Sequence, residues 1–203
     1  MKKTILILSS IIITGVAFEG CQKKGEGDPA ISLHGRKARL SGEWTLSAGT
    51  STDVSGTTSQ LTTWTATSKT TTYGTTTIVY TYSDKLTIEN DGTWKQVITS
   101  TTTGYATTTT YTGTWNWTGG VGEAKKRSQL VMTTLTKTDV ETSGGSTSTE
   151  TETYVGSKAP SQIYDIFQLK NKEIIFKWDG TSTSNSGGSN STSSSKGEMT
   201  YVQ

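Results

Sequence analysis

Beyond residue 40 the chain alternates apolar and polar side chains with a period of two, and this alternation most constrains its fold. The pattern is clearest at residues 85–89, 115–117 and 173–178. In such a segment one row of side chains faces a core and the other faces solvent, as in a half-buried β-strand. No segment after residue 40 has an apolar stripe of helical period, and the abundant threonine and tyrosine favour strands. The sequence therefore predicts an all-β domain.

Two tight reversals are predicted between the alternating segments. Asn90-Asp91-Gly92 separates a strand at 85–89 from a strand at 93–100, and Lys170-Asn171-Lys172 makes a similar turn later in the chain. Asn and Asp tolerate turn conformations, and Gly adopts a positive φ freely. About eight to ten strands joined in this way predict an antiparallel up-and-down meander that closes into a barrel, with an open sandwich as the alternative.

Other connections are predicted to be looser. Residues 119–122 and the pair Gly144-Gly145 are rich in glycine, and the low-complexity run from Ser182 to Ser195 offers almost nothing to bury. We expect this run to form a long loop that precedes a last short strand near residues 198–202.

The core of such a barrel is expected to be aromatic, because the chain has few aliphatic residues. A low content of aliphatic residues indicates disorder when the net charge is high and aromatic residues are few. This chain has a formal net charge of only +2 and contains six tryptophans and eight tyrosines. Since each of these side chains buries about 150–250 Å², layers of aromatic rings and threonine methyl groups can stabilise a folded domain.

The N-terminus has the pattern of an export signal. A lysine pair at residues 2–3 precedes an apolar run at residues 4–18, and the only cysteine of the chain, Cys21, follows soon after. The apolar run is shorter than the roughly 20 residues that a membrane-spanning helix needs. This arrangement resembles a bacterial lipoprotein signal peptide, and Phe18-Glu19 resembles the looser pattern of Bacteroidetes-type lipoproteins. An ordinary secretory peptide and a cytosolic protein with a free thiol are the alternatives.

The lipoprotein resemblance implies cleavage before Cys21 and a lipid on its thiol. The chain then divides into a signal peptide at 1–20, a lipidated cysteine with a flexible tether at 21–35, and one domain at 36–203. The tether combines charged residues, glycine and proline, which do not form a core. The lipid would hold the protein at the outer membrane of the cell envelope, on the periplasmic face or at the cell surface.

Four short motifs mark the domain. They are Gly42-x-Trp44 on the first strand, Asp91-Gly92 before an aromatic strand, Gly113-x-Trp115 in mid-domain, and a hydrophobic hairpin at 164–176. Together they resemble the lipocalin-like lipoprotein domains of Bacteroidetes. The resemblance implies a lipocalin-like or calycin-like β-barrel in which these Gly, Asp and Trp residues are structural. The larger lipocalin family keeps an arginine near its last strand, whereas the last arginine here is Arg127.

The resemblance also implies an interior that can hold a ligand. A barrel of about eight strands has room for one small ligand unless side chains fill the interior. The candidates for lining such a cavity are all aromatic: Trp94, Trp117, Tyr164, Phe176 and Trp178.

Catalytic and cofactor-binding patterns are absent from the sequence. The only histidine, His34, lies in the tether, so it does not supply the base that a hydrolase places beside its nucleophile. No nucleophile elbow, phosphate-binding glycine loop or metal-ligand spacing occurs. Glu150 and Glu152 lie in a polar stretch that indicates an exposed hairpin face. We therefore expect no enzyme activity, cofactor or metal, and the near-neutral charge argues against nucleic-acid binding.

The sequence favours a lipid-anchored, lipocalin-like protein that binds a small apolar or amphipathic ligand. Its partners would be the membrane, through the lipid on Cys21, and that ligand, and the protein is expected to be monomeric. The alternative is a non-enzymatic surface or structural lipoprotein that binds glycans or proteins through its loops and outer face.

Overall fold

The alternating segments all lie in β-strands, of which the described residues form eleven. The computed structural model describes residues 35–119, 128–186 and 189–203. One short helix, α1, spans Arg36–Leu40, and a 3₁₀ turn spans Gly156–Lys158. The strands are β1 Gly42–Ser55, β2 Thr58–Thr65, β3 Ser68–Tyr73, β4 Thr76–Ile88, β5 Thr93–Thr102, β6 Tyr105–Gly119, β7 Ser128–Ser143, β8 Ser146–Thr153, β9 Ser161–Leu169, β10 Glu173–Ser186 and β11 Ser189–Val202. The prediction of an all-β domain is confirmed.

The strands close into an antiparallel barrel. Ten of them form the closed sheet, because β1 pairs with β11 and β6 pairs with β7, which in turn pairs with β9. The eleventh strand, β8, pairs only with residues 136–143 of β7. The predicted meander and its closure are therefore confirmed, and the open sandwich is wrong.

The barrel is narrower at one end, because β1 changes partner along its length. Residues 42–45 pair directly with residues 85–88 of β4, whereas residues 48–55 pair with β2. The hairpin of β2 and β3 is thus inserted between β1 and β4 in one half of the barrel only. We call the end where β1 meets β4 the base, and the opposite end, which carries Ser55, Tyr73 and Ser143, the mouth.

The base is solid. Its core consists of the buried apolar residues Leu40, Trp44, Leu46, Leu86, Ile88, Trp94, Trp115, Leu130, Met132, Ile166, Leu169, Ile174 and Phe176. Trp44 is 1% exposed, and its indole Nε1 donates a hydrogen bond of 2.8 Å to the carbonyl oxygen of Leu40. Burial of so many aromatic and branched side chains in one layer is the main stabilising contribution, at about 25 cal/mol per Å² of apolar surface.

Helix α1 covers this base. The Arg39 guanidinium donates to the carbonyl oxygen of Leu169, and the Arg36 guanidinium lies 5.2 Å from the ring centroid of Trp117. Stacking of an arginine on a tryptophan at the end of the barrel is thus present, but the arginine comes from the segment before the first strand. The base is therefore covered by arginines of α1, although no arginine lies near the last strand.

The motif residues have structural roles. The Asp91 Oδ1 atom accepts a hydrogen bond of 2.9 Å from the backbone N–H of Thr93, and Gly92 has a φ of 94° that favours glycine. Gly113 lies at a bulge where β6 shifts register against β7. A Cβ atom at this position would lie 1.9 Å from the carbonyl oxygen of Thr133.

The prediction of a long loop from Ser182 to Ser195 is wrong. Residues 182–186 continue β10 and residues 189–195 belong to β11, and these two strands pair, Ser182 with Ser193 and Ser186 with Ser189. The last strand is therefore long and begins at Ser189. Backbone pairing needs no apolar side chains, and serine hydroxyls bond across the ladder, as between the Oγ atoms of Ser182 and Ser193 at 2.7 Å.

The connection at Gly144-Gly145 is also tighter than predicted. Both glycines have positive φ, at 58° and 82°, and they join β7 directly to β8 in a two-residue turn. Positive φ at both central residues is typical of the hairpin turns that match strand twist. The predicted connection at 119–122 lies mostly outside the described residues.

The N-terminal predictions also lie outside the described residues. They include the signal peptide, the tether up to residue 34, His34 and the lipid on Cys21. Within the described part of the chain, no helix has the length and apolar character needed to cross a membrane.

We expect Gly113→Ala to destabilise the barrel. The new methyl group would displace the Thr133 carbonyl or the Trp94 indole, and overpacking of this kind costs about 1–3 kcal/mol. Gly180→Ala is the matched control, because a Cβ atom there has no neighbour within 4 Å. Urea denaturation should show a lower midpoint for the first variant only, and equal midpoints would contradict the role given to Gly113.

Candidate functional site

The inner face of the barrel changes character from base to mouth. Above the apolar core lies a middle layer of polar and aromatic side chains centred on Asp84, which is 1% exposed. Nearer the mouth, serine, threonine and glutamine side chains predominate on the inner face. The apolar part of a ligand could therefore enter only as far as the middle layer, because the base below it is filled.

Asp84 is held by a hydrogen-bond network. The Gln96 side-chain amide donates to both carboxylate oxygens at 2.9 Å, and the Tyr201 hydroxyl donates to Oδ2 at 2.9 Å. Burial raises the pKa of Asp84 to about 6, because removal from water disfavours the charged form. The hydrogen bonds from Gln96, Tyr201 and Tyr82 act in the opposite direction and limit the rise.

The tyrosines of this layer remain neutral phenols. Burial, together with the charge of Asp84, raises the pKa of Tyr82 and Tyr201, and it raises the pKa of Tyr164 to about 12. Their hydroxyl groups are therefore hydrogen-bond donors at neutral pH. Tyr201 uses this donor on Asp84.

A cleft of about 710 Å³ opens between this layer and the mouth. It begins where β9 and β10 separate, because their pairing extends from Leu169 and Ile174 only as far as Asp165 and Lys177. Beyond Lys177, β10 has β11 as its only partner among the described strands. The cleft is lined by residues 53–55, 58, 60, 73, 161–164, 178–182, 193–195 and 199. Its size lies within the range of about 300–1,000 Å³ typical of small-molecule sites.

Two aromatic rings form the inner end of the cleft. The ring planes of Tyr164 and Trp178 are nearly perpendicular, at 87°, with centroids 6.3 Å apart. The Trp178 indole Nε1 donates a hydrogen bond of 3.1 Å to Ser195 Oγ. The indole also crosses the backbone of Gly197, where a Cβ atom would lie 2.3 Å from the Trp178 ring. The orientation of Trp178 is therefore fixed from two sides.

The five predicted lining residues separate into two groups. Tyr164 and Trp178 line the cleft. Phe176 is 2% exposed and lies below them, with its ring centroid 5.2 Å from that of Tyr164. Trp94 is a core residue whose indole donates to the carbonyl oxygens of Thr114 and Thr133, and Trp117 packs at the base beneath Arg36.

The six predicted motif residues lie away from the cleft. Trp44 and Trp115 are buried in the base, and Trp115 donates to the carbonyl oxygen of Glu89 at 3.0 Å. Gly42 has a φ of 139°. The remaining three, Asp91, Gly92 and Gly113, form the turn and the bulge described above.

Sequence reasoning missed Asp84, Gln60 and Asp53. Asp84 lies two residues before Leu86 on the same inward row, so the alternation carried a signal for a buried carboxylate. Gln60 and Asp53 pair across β1 and β2 and both line the cleft. No sequence signal marked them, because the segment around them has no apolar row.

The acidic pair of β8 is exposed. Every residue of this strand is exposed. Glu152 accepts a hydrogen bond of 2.7 Å from the Tyr154 hydroxyl and lies 3.7 Å from the Lys137 ammonium. The position of Glu150 and Glu152 is that of a solvated hairpin face.

Comparison of this chain with protein-family models, with curated proteins and with solved structures finds no match. The fold itself is informative: a closed antiparallel barrel of ten strands is compatible with a lipocalin-like fold.

We expect stability to fall as the pH rises from about 4 to about 7. In this range the unfolded chain has an ionised Asp84, whereas the folded protein retains the proton until its pKa of about 6. The free energy of unfolding should decrease by about 3 kcal/mol, since one pKa unit corresponds to about 1.4 kcal/mol. Chemical denaturation across this pH range measures the effect.

Asp84→Asn should flatten this pH dependence. Asp91→Asn is the control, because hydrogen bonds from Thr93 lower the pKa of that exposed carboxylate and its contribution has the opposite sign. A wild-type profile that rises between pH 4 and pH 7, or an Asp84→Asn profile as steep as the wild type, would contradict the assignment.

Proposed function

We propose that this protein is a non-enzymatic binding module that takes a small amphipathic molecule in the cleft at its mouth. The observation that carries the proposal is the cleft itself, with a volume of about 710 Å³ above a filled base. A barrel that was only structural would gain stability from filling this space, because interiors pack densely.

The lining favours an amphipathic ligand over a purely apolar one. Tyr164, Trp178 and Met199 provide an apolar inner end, whereas Asp53, Gln60 and a row of serines provide hydrogen-bonding walls. A purely apolar ligand would leave those polar groups without water or partners, which costs about 1–3 kcal/mol for each buried group. A ligand with one apolar and one polar part satisfies both surfaces.

We further propose that the module is a lipocalin-like lipoprotein of the Bacteroidetes type, anchored in the outer membrane through Cys21. The support is the N-terminal pattern described above and the compatibility of the barrel with a lipocalin-like fold. Two or three acyl chains give a stable anchor, since each buried methylene contributes about 0.8 kcal/mol.

Binding can be tested with three molecules that share an octyl tail: octyltrimethylammonium, octyl glucoside and octanoate, each below its micelle concentration. At least one should bind to the purified protein, with a change in tryptophan fluorescence and a 1:1 stoichiometry by calorimetry. Gly180→Phe should abolish binding, because the new ring has room to enter the cleft.

Gly35→Phe is the matched control for this variant. Gly35 precedes α1 at the base, and a Cβ atom there also meets no neighbour within 4 Å. If Gly180→Phe folds normally and binds as well as Gly35→Phe, the cleft is not the binding site.

The anchor has its own test. Mass spectrometry of the protein from its own cells should find residue 21 as an acylated N-terminus, and Cys21→Ala should release the protein from the membrane fraction. An unmodified thiol at residue 21 in membrane-bound wild-type protein would overturn the lipoprotein proposal and leave the cleft proposal intact.

A second candidate function is protein binding, which the unpaired strand edges favour. Among the described strands, β8 pairs only with β7, and β10 beyond Lys177 pairs only with β11. An unpaired edge can accept a strand from another protein. Recovery of a stable protein partner from outer-membrane extract, with no small molecule bound, would favour this candidate.

A further inference from the structure

We infer that the cleft selects an organic cation, a ligand that carries an amine or quaternary ammonium group on an apolar body. This inference rests on the proposed function and names the ligand class of the same site. It follows from the charges that line the cleft, from the charges of the surrounding inner face and from the geometry of the aromatic rings.

Among the described residues, two carboxylates and no basic side chain line the cleft. Its described lining residues include Asp53 and Asp179 but no lysine, arginine or histidine. Asp53 is the more important of the two, because it is half-buried on the inner wall, where its neighbour in β11 is Ser195. Asp179 is exposed and pairs in register with Lys196, so its charge is partly balanced.

Asp53 has no ion-pair partner among the described residues. Its Oδ2 atom accepts one hydrogen bond of 3.2 Å, from the Ser51 hydroxyl. A half-buried carboxylate with one neutral donor retains acceptor positions for a ligand. A positively charged group in the cleft would offset the cost of withdrawing this carboxylate from water.

The whole inner face beyond the base is acidic. By strand alternation and register, its described carboxylates outnumber its lysines. The carboxylates are Asp53, Asp84, Asp139 and Glu141, and the lysines are Lys69 and Lys137.

Both lysines already have partners. The Lys69 ammonium lies 5.5 Å from the ring centroid of Tyr80, and the Lys137 ammonium lies 2.6 Å from Asp139. A cavity lined by one sign of charge concentrates ligands of the opposite sign. The mouth should therefore attract cations and repel anions.

The aromatic rings suit a bulky cation better than a hydrogen-bonding group. The perpendicular rings of Tyr164 and Trp178 meet at a corner, and Tyr73 lines the same cleft. The Trp178 indole N–H is already used on Ser195. Part of the indole is covered by Gly197, and what Trp178 and Tyr164 present to the cleft is ring surface. Such surfaces bind ammonium groups by cation–π attraction worth about 0.5–2 kcal/mol.

The three octyl probes test this inference, because they differ in the charge of their head group. Octyltrimethylammonium should bind the wild-type protein at least about tenfold more tightly than octyl glucoside or octanoate. Its affinity should fall as salt is added, since salt screens the attraction. This comparison uses the wild-type protein alone, so its outcome does not depend on whether a variant folds.

Asp53→Asn should weaken octyltrimethylammonium binding by about tenfold and leave octyl glucoside binding unchanged. Glu43→Gln is the control, because it removes one carboxylate from an exposed position at the base. The cation inference would be overturned if the wild type bound octanoate or octyl glucoside as tightly as octyltrimethylammonium, or more tightly. It would also be overturned if a folded Asp53→Asn variant bound octyltrimethylammonium as the wild type does. In either case Gly180→Phe still tests whether the cleft is the binding site. If none of the three probes binds, the proposed function fails as well.

Discussion

The change of partner along β1 is the constraint on which the rest of the structure depends. Pairing of β1 with β4 near Gly42 draws the barrel into a narrow end, where tryptophans and aliphatic side chains meet and fill the interior. Insertion of β2 and β3 beyond Ala48 adds circumference but few large side chains to fill it, because only Trp64 packs against the core and only Tyr73 adds an aromatic ring to the cleft. The wide half therefore lacks the residues that would fill it, and a cleft results.

The middle layer separates these two halves and lowers the stability of the fold, because it buries a charged group. Asp84 is fully enclosed, and its hydrogen bonds from Gln96 and Tyr201 offset only part of the penalty for burying its charge. A leucine at this position would pack against the same core without such a penalty. Retention of a carboxylate, with three tyrosines around it, places a hydrogen-bonded polar layer between the base and the cleft in place of a continuous apolar interior.

The sequence was informative where side-chain burial decides the structure. Alternation and the Asp91-Gly92 turn predicted the base strands, because an apolar row must face the core there. Near the mouth this signal fails: the described residues between Ser182 and Ser195 form strands through backbone pairing and serine hydroxyl bonds, so their composition resembles that of a loop. Within the cleft, Tyr164 and Trp178 were predictable as inward aromatic residues. Asp53 was not, because the alternate residues on its row, Ser51 and Ser55, are polar as well.

The position of α1 has a consequence for how the domain faces its surroundings. The described chain begins at Gly35 and passes at once through α1, which covers the base. Residues that precede this helix therefore join the domain at its closed end. Because the cleft lies toward the other end, the proposed anchor and the proposed ligand would engage the domain at opposite ends of the barrel.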